Sequence, residues 1–307
     1  MNQFANVRWN GSFSEFFSVK NGVRQGAILS GILYCFYTND LFTLLRRNRT
    51  GCWVNNIFMG IFGYSDDNLL IPSLDSLQEM VKVCEEYASE HNLKFSIDAN
   101  PVKCKTKCIA FLNKEKNHGA VELGGVPLPW VDGGLHLGNH LSNKVNGMVQ
   151  DLKVKRANFI SKNIDLNQEF SFCHPATKVK LNQIYNFHFT GSPLWDLFSK
   201  EAKMLENSWN TSVKVMYDLP IQTHRNLIEP VSQAKHLKFV LLERFFGFLN
   251  QVQKSKKQVP KQLINLIAND VRSTTGSNLR NLLLLTSKDT IKGITIEDVK
   301  KLKYPPD

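Results

Sequence analysis

Two adjacent carboxylates, Asp66 and Asp67, sit inside residues 57–71, where an apolar run climbs to Tyr64, breaks at Ser65-Asp66-Asp67 and resumes as Leu69-Leu70-Ile71. Short apolar runs around a polar break predict a tight hairpin with both acids at its tip. Two anions held that close are stable only when solvated or neutralised by a cation. Asp is a common turn residue, so a solvated turn is one reading. The other is a seat for a hard divalent ion such as Mg²⁺, which takes one or two carboxylates together with substrate phosphates. Upstream, Gly22-Val23-Arg24-Gln25-Gly26 brackets an Arg and a Gln between glycines. Gly22 and Gly26 allow close backbone approach to a ligand, and Gln25 carries both donor and acceptor at its tip. Cys104 and Cys108 with His118 lack the Cys-x-x-Cys spacing of a zinc site and fit buried thiols better.

The elements that must position these residues follow from periodicity. Asn10-Gly11 between apolar runs predicts a hairpin over residues 1–20. Ile28, Leu29, Ile32, Leu33, Phe36, Tyr37, Leu41, Leu44 and Leu45 keep i, i+4 spacing, predicting a helix with that face in the core. Ser76-Leu77-Gln78-Glu79 fits a capping box ahead of a stripe of Leu77, Met80, Val81, Cys84, Tyr87 and Ala88. Strict alternation over 93–98 predicts a strand, and 103–112 another, edged by Lys103, Lys105 and Lys107. Residues 121–128 and 135–141 add a small β region with Gly124-Gly125 and Gly133-Gly134 as breaks. Residues 1–142 therefore read as a mixed α+β domain. Beyond Asn143 glycine thins and helices are expected over 145–164, 177–189, 199–217, 233–252, 260–272 and 276–285. Residues 253–258 read as a surface linker, and 291–304 as a short, frayed last helix.

Charge divides as sharply. Residues 1–142 hold 13 Lys+Arg against 13 Asp+Glu, while 143–307 hold 25 against 14, so the net +11 belongs to the second part. That asymmetry points to a polyanion, above all nucleic acid. Neither a secretory signal nor an apolar run of membrane-spanning length is present. Six cysteines without disulfide-like spacing indicate reduced thiols and an intracellular setting, nucleus or cytoplasm.

Gly22-Val23-Arg24-Gln25-Gly26-x-x-Leu29-Ser30, followed by Tyr64-Ser65-Asp66-Asp67, resembles the reverse transcriptase family in the spelling of its non-LTR (LINE-type) retrotransposon branch. Asn100-Pro101-Val102-Lys103-Cys104-Lys105-Thr106-Lys107 is similar to that family's lysine-bearing strand, and Leu135-His136-Leu137-Gly138 to its primer-grip turn. The resemblance weakens through the basic helices to about residue 230. It implies a partial polymerase palm over 1–142, a small antiparallel sheet with helices on one face. A basic all-α thumb or connection over 143–252 would follow, then a linker and C-terminal helices over 253–307.

The implied activity is RNA-directed DNA synthesis by two-metal nucleotidyl transfer with Mg²⁺, or Mn²⁺ in its place. Asp66 and Asp67 would be the catalytic metal ligands. Lys103 would be general acid for the pyrophosphate, or else a solvated strand lysine. Arg24, Gln25, Gly26 and Tyr64 would line the template and nucleotide pocket, and Leu137 and Gly138 would form the primer grip. Lys153, Lys155 and Arg156 would neutralise backbone phosphates without reading sequence. The implied partners are an RNA template, a DNA primer, deoxynucleoside triphosphates and the fingers and endonuclease portions of a parent polyprotein, with no membrane.

The sequence also departs from the family. Its strand of the form Phe-x-Asp-x-x-x-Ala-Phe-Asp, source of a further metal-binding carboxylate, has no counterpart in residues 1–20, where Glu15 is the only acid. Gly31 replaces a usual Pro, Ser65 a usual Ala and Asn68 a small hydroxyl residue. The expectation is a palm-and-thumb fragment inactive alone. The alternative is a degenerate, non-catalytic nucleic-acid-binding remnant of a retrotransposon.

Overall fold

The computed structural model describes residues 3–19, 26–73, 76–111, 119–144, 147–270 and 272–303. The chain divides into two units, residues 1–106 with 116–129, and 107–115 with 130–307. Arg24, Gln25, Gly22 and His118 lie outside the described residues.

In the first unit, β1 (Gln3–Ala5), β2 (Arg8–Trp9), β3 (Ser12–Phe13) and β4 (Phe17–Val19) form a nested hairpin, β2 on β3 and β1 on β4, all antiparallel. Its Asn10-Gly11 turn has φ of 46° and 84°, the two left-handed residues that a type I′ turn requires. Then comes α1 (Ser30–Arg47), ending on Arg46 and Arg47, whose charge suits the negative end of the helix dipole. The expected burial of its apolar face is corrected here. Leu41 and Leu45 are buried, packed with Ile61, Met80, Cys84 and Tyr87, whereas Ile28, Leu29, Ile32, Leu33, Phe36, Tyr37 and Leu44 stay exposed. Every ladder among the described residues is only two strands wide, too narrow to roof both halves of the helix.

A second hairpin joins β5 (Trp53–Val54) to β6 (Ile57–Phe58) through Asn55-Asn56, both with positive φ. The third, β7 (Ile61–Tyr64) with β8 (Asp67–Leu70), is the predicted one. The stripe on α2 (Leu77–Glu90) is also as expected, with Met80, Val81, Cys84, Tyr87 and Ala88 buried and burial pushing the Cys84 thiol up to about 12. The capping box is not formed. Ser76 sits in helical dihedrals, φ −95° and ψ −5°, and its hydroxyl donates to the Ser73 carbonyl instead of meeting a helix N–H. Capping needs an extended residue there.

Residues 93–98 alternate in exposure but make no strand. Neither do 103–111, the described part of the strand expected over 103–112, where an isolated bridge from Cys108 to Trp130 is formed. The Asp98 carboxylate accepts from the Asn100 N–H, and the Asn100 side chain accepts from the Val102 N–H, diverting the backbone into turns. β9 (Glu122–Leu123) and β10 (Val126–Pro127) close around Gly124-Gly125, both of positive φ. The expected single antiparallel sheet is thus replaced, among the described residues, by six separate two-stranded ladders.

The second unit begins with β11 (Gly133–His136) and β12 (Asn139–Ser142), paired around Leu137-Gly138. Gly133 lies within β11 instead of breaking it; a Cβ there would stand 2.4 Å from the Leu141 carbonyl oxygen. Eight α-helices follow among the described residues: α3 (Val149–Glu169), α4 (Pro175–Asn186), α5 (Lys200–Met216), α6 (Ile228–Ser232), α7 (Leu237–Lys254), α8 (Gln258–Asn269), α9 (Thr274–Thr286) and α10 (Ile296–Lys300). Their common core holds Phe159, Trp195, Leu205, Trp209, Phe245 and Phe246, side chains large enough to dominate burial. Ser199 and Ser273 cap α5 and α9 by accepting from Ala202 and Gly276 N–H groups.

The C-terminal helices share this core through Ile264, Leu279, Leu282, Ile294 and Val299. The last helix is short, as expected, but docked and not frayed. Thr295 and Asp298 make a capping box, Val299 is fully buried, and the Lys235 ammonium donates to the Lys300 carbonyl at 2.7 Å.

Candidate active site

The β7–β8 hairpin carries both aspartates to solvent. Tyr64 pairs with Asp67 across the ladder, Ser65 and Asp66 form the turn, and all four are exposed. Ser65 takes φ 56°, a left-handed conformation disfavoured for a residue with a side chain. Gly63, next to this tip, lies against α1: a Cβ there would fall 2.4 Å from Phe42 Cζ. Tyr34 on the same helix has its phenol pushed above the usual tyrosine range, first by burial and then by the negative charge of Asp66.

Both aspartates offer hard oxygen donors, and among the described residues no cationic side chain hydrogen-bonds or ion-pairs with their carboxylates. No group of three or more His, Cys, Asp or Glu side chains gathers among the described residues. Two carboxylates alone cannot cage an ion, but they suit Mg²⁺, which completes its shell with water and substrate phosphates. The donor chemistry fits such an ion. Cys104 and Cys108 are buried, and Cys104 hydrogen-bonds the Thr106 carbonyl.

Of the other expected residues in this unit, Gly26 has φ 82°, and a Cβ there would meet nothing within 4 Å among the described residues. Lys103 is exposed on a turn, its N–H donating to the Asn100 carbonyl at 3.0 Å, and not on a strand.

In the second unit Leu137 and Gly138 form the β11–β12 turn with φ of 48° and 77°. Leu135 and Leu137 are exposed at its tip. Of the three expected phosphate-binding cations on α3, Lys153 is exposed. The Lys155 ammonium donates to the Gly138 carbonyl at 2.8 Å, and Arg156 Nε donates to the Ser208 hydroxyl at 2.9 Å. Each retains further N–H donors.

Sequence reasoning passed over Asp151. Its fully buried carboxylate accepts from the His140 N–H at 3.0 Å and from the Trp195 indole N–H at 2.8 Å. An acid in the first turn of a helix is ordinary, so nothing in the pattern marked it.

No curated protein matches the chain. No helix among the described residues is long and apolar enough to cross a membrane. Residues 1–151, which contain both the two-aspartate hairpin and the Leu137-Gly138 turn, match the family described as reverse transcriptase (RNA-dependent DNA polymerase).

Proposed function

We propose that the chain is the palm and thumb portion, inactive alone, of a non-LTR (LINE-type) reverse transcriptase, an enzyme that extends a DNA primer on an RNA template with deoxynucleoside triphosphates. The observation that carries this reading is the exposed Asp66/Asp67 turn on an antiparallel hairpin, inside the segment that matches reverse transcriptases. Residues 1–142 would serve as palm, 143–252 as thumb and 253–307 as the supporting C-terminal helices. Asp66 and Asp67 would hold Mg²⁺ together with nucleotide phosphates. The ions, when bound, supply activation of the primer hydroxyl and charge neutralisation at the phosphoryl group. Tyr64, Gly26, Gln25 and Arg24 would border the nucleotide and template. Lys103, on an exposed turn, would reach the pyrophosphate as proton donor. Lys153, with the spare donors of Lys155 and Arg156, would neutralise backbone phosphates.

Only two carboxylates gather at the hairpin, with no third protein ligand beside them among the described residues. That favours a second reading for the chain by itself, nucleic-acid binding without synthesis. Primer extension on an RNA template with Mg²⁺ or Mn²⁺, by the chain alone and by the chain joined to a fingers portion that carries the further metal-binding carboxylate, separates the two: product only from the joined protein supports the first reading, and none from either supports the second. The polypeptide alone is expected to make no product. Synthesis that disappears in Asp66→Ala would instead establish a complete active site.

A further inference from the structure

We propose that Asp151 and Lys155 are the positioning residues of the Leu137-Gly138 turn, holding it in a strained shape on which the terminal backbone of a nucleic-acid primer is seated. The inference rests on the nucleic-acid reading above, in which Leu137 and Gly138 are the primer grip, and adds the residues that hold that grip in shape.

The turn is costly as built. Leu137 has φ 48°, where its side chain crowds its own backbone, and Leu is a poor choice beside the Asn or Gly that such turns favour. Strain of this kind persists only where the surroundings over-determine it. Here they do. Lys155 Nζ binds the Gly138 carbonyl at 2.8 Å from the middle of α3. One helical turn earlier, Asp151 Oδ1 accepts the His140 N–H at 3.0 Å, two residues past the turn, while its Oδ2 holds the Trp195 indole at 2.8 Å. Asn139 Nδ2 donates to the Leu137 carbonyl at 3.3 Å, and its Oδ1 lies against Gly191, where a Cβ would come within 2.1 Å. The bracing therefore reaches the tip from α3, from the 191–195 segment and from β12 itself.

What is braced is a surface with no internal use. A Cβ at Gly138 would meet nothing within 4 Å, and Leu135 and Leu137 project into solvent. A buried carboxylate is a poor way to stabilise a core, since apolar side chains of similar size do as well or better. Its effect is to fix geometry. An open glycine flanked by apolar side chains suits the sugar edge of a strand end, and the cations of α3 suit its phosphates.

The test compares binding of the whole chain to two probes by fluorescence anisotropy. One is an RNA–DNA hybrid with a recessed DNA 3′ end; the other is the same hybrid closed by loops at both ends, which has no terminus. The wild type should prefer the recessed end. Asp151→Asn, which cannot accept at both oxygens, and Lys155→Met, which keeps the side-chain stem, should each lower that preference about tenfold. Amide exchange at residues 136–140 should rise in both. Lys153→Met removes an equal charge without touching the turn, and should weaken both probes together. A preference unchanged in Lys155→Met while exchange at the turn rises would overturn the proposal, because the turn would then be braced without seating a strand end. A wild type that binds both probes equally overturns it too, leaving nucleic-acid binding intact. A wild type that binds neither probe removes the nucleic-acid reading, and this inference with it.

Discussion

Among the described residues the Asp66 carboxylate has no hydrogen-bond or ion-pair partner, and it acts on Tyr34 through charge. Burial and that charge together raise the phenol of Tyr34. Asp66→Asn removes the second cause, so Tyr34 should ionise at lower pH than in the wild type, though still above the ordinary tyrosine range. A spectrophotometric titration of the two proteins, compared with a Tyr34→Phe control, reads this directly. Leu137 carries the opposite kind of cost. Leu137→Gly should stabilise the second unit by about 0.5–1 kcal/mol, because glycine adopts φ 48° without strain. Denaturant unfolding measures it. No gain in midpoint would mean that the left-handed leucine is unstrained. The hairpin turn that carries Asp66 and Asp67 was legible in the sequence, because acids between apolar runs are a local pattern, whereas the strand expected around Lys103 is a turn. Asp151 was not legible, since its partners His140 and Trp195 lie 11 and 44 residues away.

Hairpins were the most readable elements. Asn10-Gly11 and the break at Ser65-Asp66 announce their turns by residue type, and α2 followed its apolar stripe where α1 did not. The strands expected over 93–98 and 103–112 failed for a physical reason. Alternation places a residue in or out, but a ladder needs a neighbour, and Asp98 and Asn100 bind backbone N–H groups that would otherwise pair. The same want of neighbours leaves the front of α1 bare. Phe36 is 75% exposed and Ile32 54%, on a helix whose later turns are core. Contiguous apolar surface of this kind favours association. The purified chain should sediment with concentration-dependent mass, and Phe36→Glu with Ile32→Glu should reduce that dependence. Stability should stay within about 0.5 kcal/mol, as expected of surface changes. Loss of folding in the double variant would show the face to be buried after all.

At the scale of the whole chain, charge and packing follow different boundaries. The positive excess begins near residue 143, yet the β11–β12 hairpin belongs with the helices that carry it. Composition reports the first and cannot report the second. Hybrid binding should weaken as salt rises, with a log–log slope that falls by about 0.9 in Lys153→Met, one phosphate contact fewer. Binding that does not change with salt, or a slope unchanged by the substitution, would remove α3 from the interface.

Trp195 is held at both ends: its indole by Asp151, and its carbonyl by the Asn278 amide on α9 at 2.7 Å, while the Asn278 oxygen takes the Leu197 N–H. Shortened versions of this protein that stop near residue 252 would cut that thread from the far end. The tail would thus be felt 140 residues upstream, in whatever the Leu137 loop grips, long before any catalytic group was touched.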